Sequence, residues 1–114
     1  MPLLTYTHVQ LLLANGRRRA AGLNVDPPPV VKLFTPDGAA TWLLTELDPD
    51  DPDVAFGLCD LGLGTPELGR VRLSELTRVH GPLGLPVERD RSFRPSQSIS
   101  AYVRRARRLG RIDA

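Results

Sequence analysis

One cysteine, two histidines and one lysine in 114 residues leave little material for several kinds of chemistry. A lone Cys59 cannot form an internal disulfide, so no oxidising compartment is implied. Structural zinc takes four Cys or His ligands, and Cys59, His8 and His80 supply three with no close pair. No uncharged run is long enough to span a bilayer. The apolar N-terminal stretch is followed by Arg17-Arg18-Arg19, the reverse of the order in a signal peptide. No Gly-x-Ser-x-Gly elbow, Gly-x-Gly-x-x-Gly turn or Walker-type loop occurs. Aromatic residues are only 5%, and neither an RNP-like aromatic pattern nor a helix-turn-helix signature is visible. These absences set the expectations: a soluble cytoplasmic protein, no membrane partner, no cofactor, no metal site, no catalytic residue and a non-enzymatic role.

What is present describes a small folded domain. Apolar residues at 41% and charged residues at 25% are ordinary for globular proteins. One core fits this length, so residues 1–114 read as a single domain with a core over 29–95. Eleven prolines and ten glycines predict short elements and many turns.

Charge is segregated. Residues 1–25 carry +3, residues 26–60 carry −7, residues 61–95 carry +2 and residues 96–114 carry +4, for a net +2. The ordinary consequence is that basic termini fold onto an acidic middle; the sharper one is a basic surface for a polyanion. Fourteen of the fifteen basic residues are Arg. Base composition of the genome can produce that bias, so the count alone carries little.

Along the chain, 7–15 predicts a short helix with Thr7 as N-cap and Gly16 just past its end. Pro27-Pro28-Pro29 forbids helix and leads into a strand at 30–35. Pro36-Asp37-Gly38 is turn chemistry, and 41–47 is the returning strand. An acidic loop, Asp48 to Asp53, precedes a strand at 54–61 and a Gly-rich turn precedes another at 70–73. Ser74 is a candidate N-cap for a helix over 75–79. A basic amphipathic helix at about 97–109 places Ile99, Tyr102, Val103, Ala106 and Leu109 on one face. The connections are too short for parallel crossovers, so the expected fold is α+β: an antiparallel meander of about four strands with N-terminal and C-terminal helices packed on it in two layers.

Four ordered segments stand out: Val30-Val31-Lys32-Leu33-Phe34-Thr35-Pro36-Asp37, Thr41-Trp42-Leu43-Leu44-Thr45-Glu46, Pro66-Glu67-Leu68-Gly69, and Gly81 through Asp90. Over about residues 29–95 the chain resembles a family of small bacterial proteins known as a domain of unknown function, typical of plasmids, phages and integrative elements. The resemblance implies a mobile-element context and a compact domain. It implies no activity and no catalytic residue, and the segment after Pro95 lies outside it.

The candidate sites follow from charge and placement. Arg104, Arg105, Arg107, Arg108 and Arg111 on the C-terminal helix form a candidate nucleic-acid-binding face, against the plainer reading of a solvated helix. Trp42 with Glu88, Arg89 and Asp90 forms a possible cleft, against a packed tryptophan and a salt-bridge network reaching Lys32 or Arg72. The acidic loop, Glu46 to Asp53, offers hard oxygen ligands, but its prolines and the missing glycine oppose an EF-hand-like wrap. Cys59 reads as a small buried hydrophobe and His80 as a group bonding the last carbonyls of a helix. Both sides of the first two strands carry apolar groups, so an uncovered face is expected to mark a partner or a homo-oligomer contact. Three functions compete: a non-catalytic interaction protein of a mobile element with a protein or nucleic acid as partner, a sequence-nonspecific nucleic-acid binder using the basic helix, and a small metal-dependent hydrolase using the acidic loop.

Overall fold

A computed structural model describes residues 3–114. Its elements run α1 (Tyr6–Ala20), β1 (Val31–Phe34), β2 (Thr41–Asp48), β3 (Asp51–Asp60), β4 (Glu67–Arg72), α2 (Leu73–Leu76), β5 (Glu88–Arg89) and α3 (Ile99–Leu109). The strands form one antiparallel sheet in the order β4-β3-β2-β1-β5. The expected α+β class is therefore the observed one. The strand count is five instead of about four, because Glu88-Arg89 pairs with Phe34 and Leu33 and closes the second edge. Two residues give no periodicity to read.

The helices cover opposite faces, so the domain has three layers and not two. Leu12 of α1 packs with Val31, Leu33, Trp42, Leu44 and Leu47. Ile99, Tyr102, Val103 and Ala106 of α3 pack with Leu43 and Leu58. Trp42 and Leu43 are neighbours in one strand and so point to opposite faces. The apolar residues on both sides of β2 thus mark two covered cores, and the expectation of an uncovered sheet face there is corrected.

α1 runs five residues beyond its expected end. Its N-cap is Thr5, whose hydroxyl accepts from the His8 N–H while His8 Nδ1 accepts from the Thr5 N–H, a reciprocal capping box. Gly16 lies inside the helix. A Cβ there would sit 1.9 Å from the Leu47 carbonyl oxygen, so this glycine serves close approach instead of termination. The approach has a purpose. The β1–β2 pairing ends at Val31 and Leu44, leaving the last part of β2 with a bare edge. Asn15 Nδ2 donates to the Thr45 carbonyl at 2.8 Å, and the Gly16 backbone lies against Leu47. α1 thereby covers a strand edge as well as a face.

A bulge at Thr45 changes the phase of β2. Leu44 pairs with Gly57 and Glu46 with Phe56, leaving Thr45 extra. By strict alternation Glu46 would share the α1 core with Leu44. The inserted residue returns Leu47 to that core and puts Glu46 on the other face.

α3 begins at Ile99, after the N-cap Ser98, whose side chain makes no capping bond. The cap comes from a distant loop: Ser100 N and Oγ donate to the Asp26 carboxylate at 3.0 and 2.5 Å. Gly110, left-handed at φ 75°, ends the helix. The short α2 starts at Leu73, one residue ahead of the expected cap Ser74, and its first turn is held by Asp53, which accepts from Ser74 N and Oγ.

Candidate functional site

Three of the four segments of the family resemblance meet in space, on β2, β1 and β5, while Pro66-Glu67-Leu68-Gly69 lies on β4 beyond β3, and much of their chemistry is structural. Asp37 Oδ2 accepts from Leu83 N at 2.6 Å and from Leu85 N at 3.3 Å, so one carboxylate gathers the Gly81-to-Pro86 loop. A Cβ at Gly81 would meet Asp37 Oδ1 at 1.7 Å, which accounts for the glycine. On β5, Arg89 Nη1 donates to the Leu3 carbonyl at 2.8 Å, and Asp90 pairs with Lys32 at 3.4 Å on the other side. The extended backbone separates them in this way.

The possible cleft of Trp42, Glu88, Arg89 and Asp90 is not assembled. Trp42 is 3% exposed inside the α1 core. Leu33 lies between it and Arg89 in the sheet register. Glu88 and Asp90 form no carboxylate pair: Glu88 is solvent-exposed, while Asp90 is held by Lys32. The salt-bridge reading holds for Lys32, whereas Arg72 pairs with Asp51 at 3.1 Å and Asp53 at 3.6 Å.

The acidic loop is a tight hairpin turn. Asp48 already pairs with Asp51, and β3 starts there. Four of its carboxylates face arginines: Glu46 is held by Arg19 at 2.6 Å and Asp48 by Arg70 at 3.8 Å, while Asp51 and Asp53 share Arg72. Among the described residues no three His, Cys, Asp or Glu side chains gather closely enough to hold a metal ion. Cys59 packs against the α1 core, and burial pushes its thiol above the usual range, away from the thiolate a nucleophile needs. His80 Nδ1 lies 2.9 Å from the Arg78 carbonyl, just past α2.

The basic helix presents its arginines outward. Arg104, Arg105, Arg107, Arg108 and Arg111 are all exposed, while Tyr102, Val103 and Ala106 are buried beneath them. Leu109, expected on the apolar face, is 44% exposed. The five arginines divide into two groups. Arg105 Nε holds Asp113 at 2.6 Å, with Arg111 at 4.0 Å from the same carboxylate, and these cations keep Asp113 below the ordinary carboxylate range. Arg104, Arg107 and Arg108 form no ion pair among the described residues. Arg17 and Arg18 likewise form no ion pair among the described residues, and the helix that carries them packs its apolar face on the opposite side of the sheet from α3.

Sequence reasoning missed a second feature beside this helix. Three cross-strand rows cross the α3 side of the sheet. Leu43, Leu58 and Leu68 form the first, Glu46, Phe56 and Arg70 the second, Val54 and Arg72 the third. α3 covers Leu43 and Leu58 in the first row; Phe56 and Val54 join neither core. The second row forms a cavity of about 220 Å³, closed on one side by Gly16 and Arg19 of α1. The Arg19 guanidinium stands 5.5 Å from the Phe56 ring centroid. Glu46 is only 5% exposed, and its Oε2 is buried without a hydrogen-bond partner. One signal in the sequence marked this position: Glu46 is a lone charge inside the run Trp42 to Leu47, although it reads equally as the first acid of the loop.

Fold and site together define a small three-layer α+β domain with one outward basic helix and an adjoining cavity. The chain belongs to the family described as protein of unknown function (DUF2958), whose model matches residues 3–113. The match extends well beyond residues 29–95 and takes in α3, so the basic helix is part of the family domain and not an addition to it. No curated protein and no solved structure matches the chain.

Proposed function

We propose that this protein is a non-catalytic nucleic-acid-binding accessory protein of mobile genetic elements, gripping the phosphate backbone with α3. The observation that carries the reading is the exposed row of Arg104, Arg107 and Arg108, none within ion-pair distance of a carboxylate among the described residues, with Arg104 acting on Asp26 only through its field. Asp48, Asp51 and Asp53 on the neighbouring strands already have cations, while these three guanidiniums project to solvent from a helix seated on its apolar face. Guanidinium forks suit phosphate oxygens, and contacts of this kind position a backbone without reading its sequence. The mobile-element context rests on the resemblance of the four segments quoted above. The hairpin carboxylates face arginines and, among the described residues, do not gather as a metal-holding group, so the hydrolase reading has no site to support it.

Fluorescence anisotropy with a labelled single-stranded oligonucleotide at low salt tests the reading. Replacing Arg104, Arg107 and Arg108 by Gln leaves Tyr102, Val103 and Ala106 untouched, so the helix should stay folded. Affinity is expected to fall at least about tenfold, since each charge-assisted contact contributes roughly 1 kcal/mol or more. Undiminished binding by the triple variant, or none by the wild type, would return the arginines to an ordinary solvated face.

A further inference from the structure

Two arginines of the basic segment already hold an oxyanion, and that oxyanion belongs to the chain itself. Arg105 Nε lies 2.6 Å from Asp113 Oδ2, and Arg111 Nη1 lies 4.0 Å from Asp113 Oδ1, so one carboxylate spans two guanidiniums. The backbone on either side imposes this position. Gly110, left-handed at φ 75°, turns the chain back at the end of α3. Ile112 then enters the α3 core, and its N–H donates to the buried Asp60 carboxylate at 2.9 Å. Beyond Asp113, the Ala114 carbonyl accepts from Lys32 Nζ at 2.7 Å. The segment is pinned before and after Asp113, so the carboxylate is delivered to Arg105 by a backbone already in place.

The arginine pair has the chemistry of a phosphate seat. Guanidinium forks take carboxylate and phosphate oxygens in the same geometry. Arg105 and Arg108 are three residues apart, so they are neighbours on the helix surface and the seat adjoins the exposed row of Arg104, Arg107 and Arg108. The bridge lies at the surface: the side chains of Arg105, Arg111 and Asp113 are 48%, 65% and 39% exposed. An exposed ion pair is held weakly, so an incoming phosphate meets a competitor and not a closed wall. Asp113 stays ionised at neutral pH, because the Arg105 hydrogen bond and charge hold it below the ordinary carboxylate range.

We propose that Arg105 and Arg111 form a further seat for one phosphate of a nucleic-acid backbone, and that Asp113 is its internal competitor. This rests on the α3 reading and sets the strength of that grip. In the wild type the carboxylate fills the seat, and the grip runs through Arg104, Arg107 and Arg108. With the carboxylate neutralised, the fork that held one oxyanion takes one phosphate. Phosphate contacts supply the affinity of a sequence-blind binder, so Asp113 keeps that affinity low and the complex readily reversed.

The test has two arms. In the first, a labelled single-stranded oligonucleotide is titrated by anisotropy at several salt concentrations. Asp113→Asn should tighten binding at least about tenfold, the effect of gaining a charge-assisted fork. It should also steepen the log–log salt slope by about 0.7, the increment for one phosphate on a single strand. Glu88→Gln makes the same change in net charge on β5 and should tighten binding by less than about twofold, since a field without a contact is screened. Arg105→Gln alone should weaken binding by no more than about twofold, and added to Asp113→Asn it should cancel the gain. In the second arm, inorganic phosphate is titrated against chloride at matched ionic strength while the Arg105 Nε–H resonance is followed by NMR. It should shift in Asp113→Asn at concentrations that leave the wild type unmoved. An Asp113→Asn gain no larger than that of Glu88→Gln, with binding still lost when Arg104, Arg107 and Arg108 are replaced, overturns the competitor and leaves the α3 grip standing. Phosphate shifts at Arg105 without oligonucleotide binding by any form support the seat and overturn the grip. No response in either arm overturns both.

Discussion

The two faces of the sheet receive helices of different reach. On one face the fifteen residues of α1 cover Val31, Leu33, Trp42, Leu44 and Leu47 and then seal the bare edge of β2. On the other the eleven residues of α3, about 16 Å long, cover Leu43 and Leu58 and stop. Glu46, Val54 and Phe56 remain beyond its end. The difference separates a covered face from a partly open one: the α1 face holds the larger core, and the α3 face holds a smaller core, an open cavity and exposed arginines. Arginine runs on both helices look alike in sequence but differ in use. On α1, Arg19 closes onto Glu46 and Phe56, whereas Arg104, Arg107 and Arg108 of α3 are exposed and form no ion pair among the described residues.

The largest expected effect lies on the roofed face. Trp42→Ala should cost about 3–5 kcal/mol, the range for deleting a large buried aromatic. Chemical denaturation measures it, and a loss below about 1 kcal/mol would deny that α1 and β2 form the main core. Gly16→Ala comes next. Alanine favours helix by about 1 kcal/mol, but its methyl would collide with the Leu47 carbonyl. The collision should win, for a net loss of about 2 kcal/mol. A gain in stability would show that α1 does not lie against the β2 edge. Phe56→Ala sharpens the contrast from the other face. Phe56 belongs to neither core, so the loss should be only about 1 kcal/mol, chiefly its contact with Arg19.

The smallest effects distinguish the two helix caps by pH. Hydrogen bonds from Ser100 hold Asp26 below its ordinary value of 3.8. Its contribution to α3 is therefore present above about that pH and is lost as pH falls through the depressed folded value. Desolvation, then the nearby Arg89 charge, holds His8 below 6.5. A proton on Nδ1 would also end its acceptance from Thr5 N–H. The His8 contribution is present above about pH 6.5 and declines as pH falls through the lowered folded value. Melting temperatures measured across pH should show a shallow decline starting below 6.5 that His8→Gln removes. A further decline below about 4 should be softened by Asp26→Asn. Coincident windows for the two variants would contradict the separate assignments.

Legibility in the sequence followed regularity. The face of α3 was readable because Ile99, Tyr102, Val103 and Ala106 repeat over about two turns. The β1–β2–β3 meander was readable from β-branched runs broken by Pro and Gly. Gly16 misled because a glycine at close approach and a glycine past a helix end are the same letter. The sixteenth residue of the chain says nothing of which strand edge it will meet. Thr45 misled in another way. A bulge is set by the partner strand, so nothing in the alternation of β2 reveals that Glu46 exchanges faces with Leu47. The cavity depends on that exchange and on Arg19 arriving from a different element, which explains why neither Glu46 nor Phe56 stood out as a pair. The arginines of α3 were legible as a cluster, but the capture of Arg105 and Arg111 by Asp113 required the chain to turn back at Gly110.

The central claim is that Arg104, Arg107 and Arg108 hold phosphates, and the salt dependence of binding tests it most directly. Three neutralised phosphates predict a log–log slope of about −2.1 on single-stranded DNA. Replacing all three arginines by Gln should bring the slope close to zero while the circular dichroism spectrum stays unchanged. A steep slope that survives the replacement would place the phosphate contacts elsewhere and contradict the account.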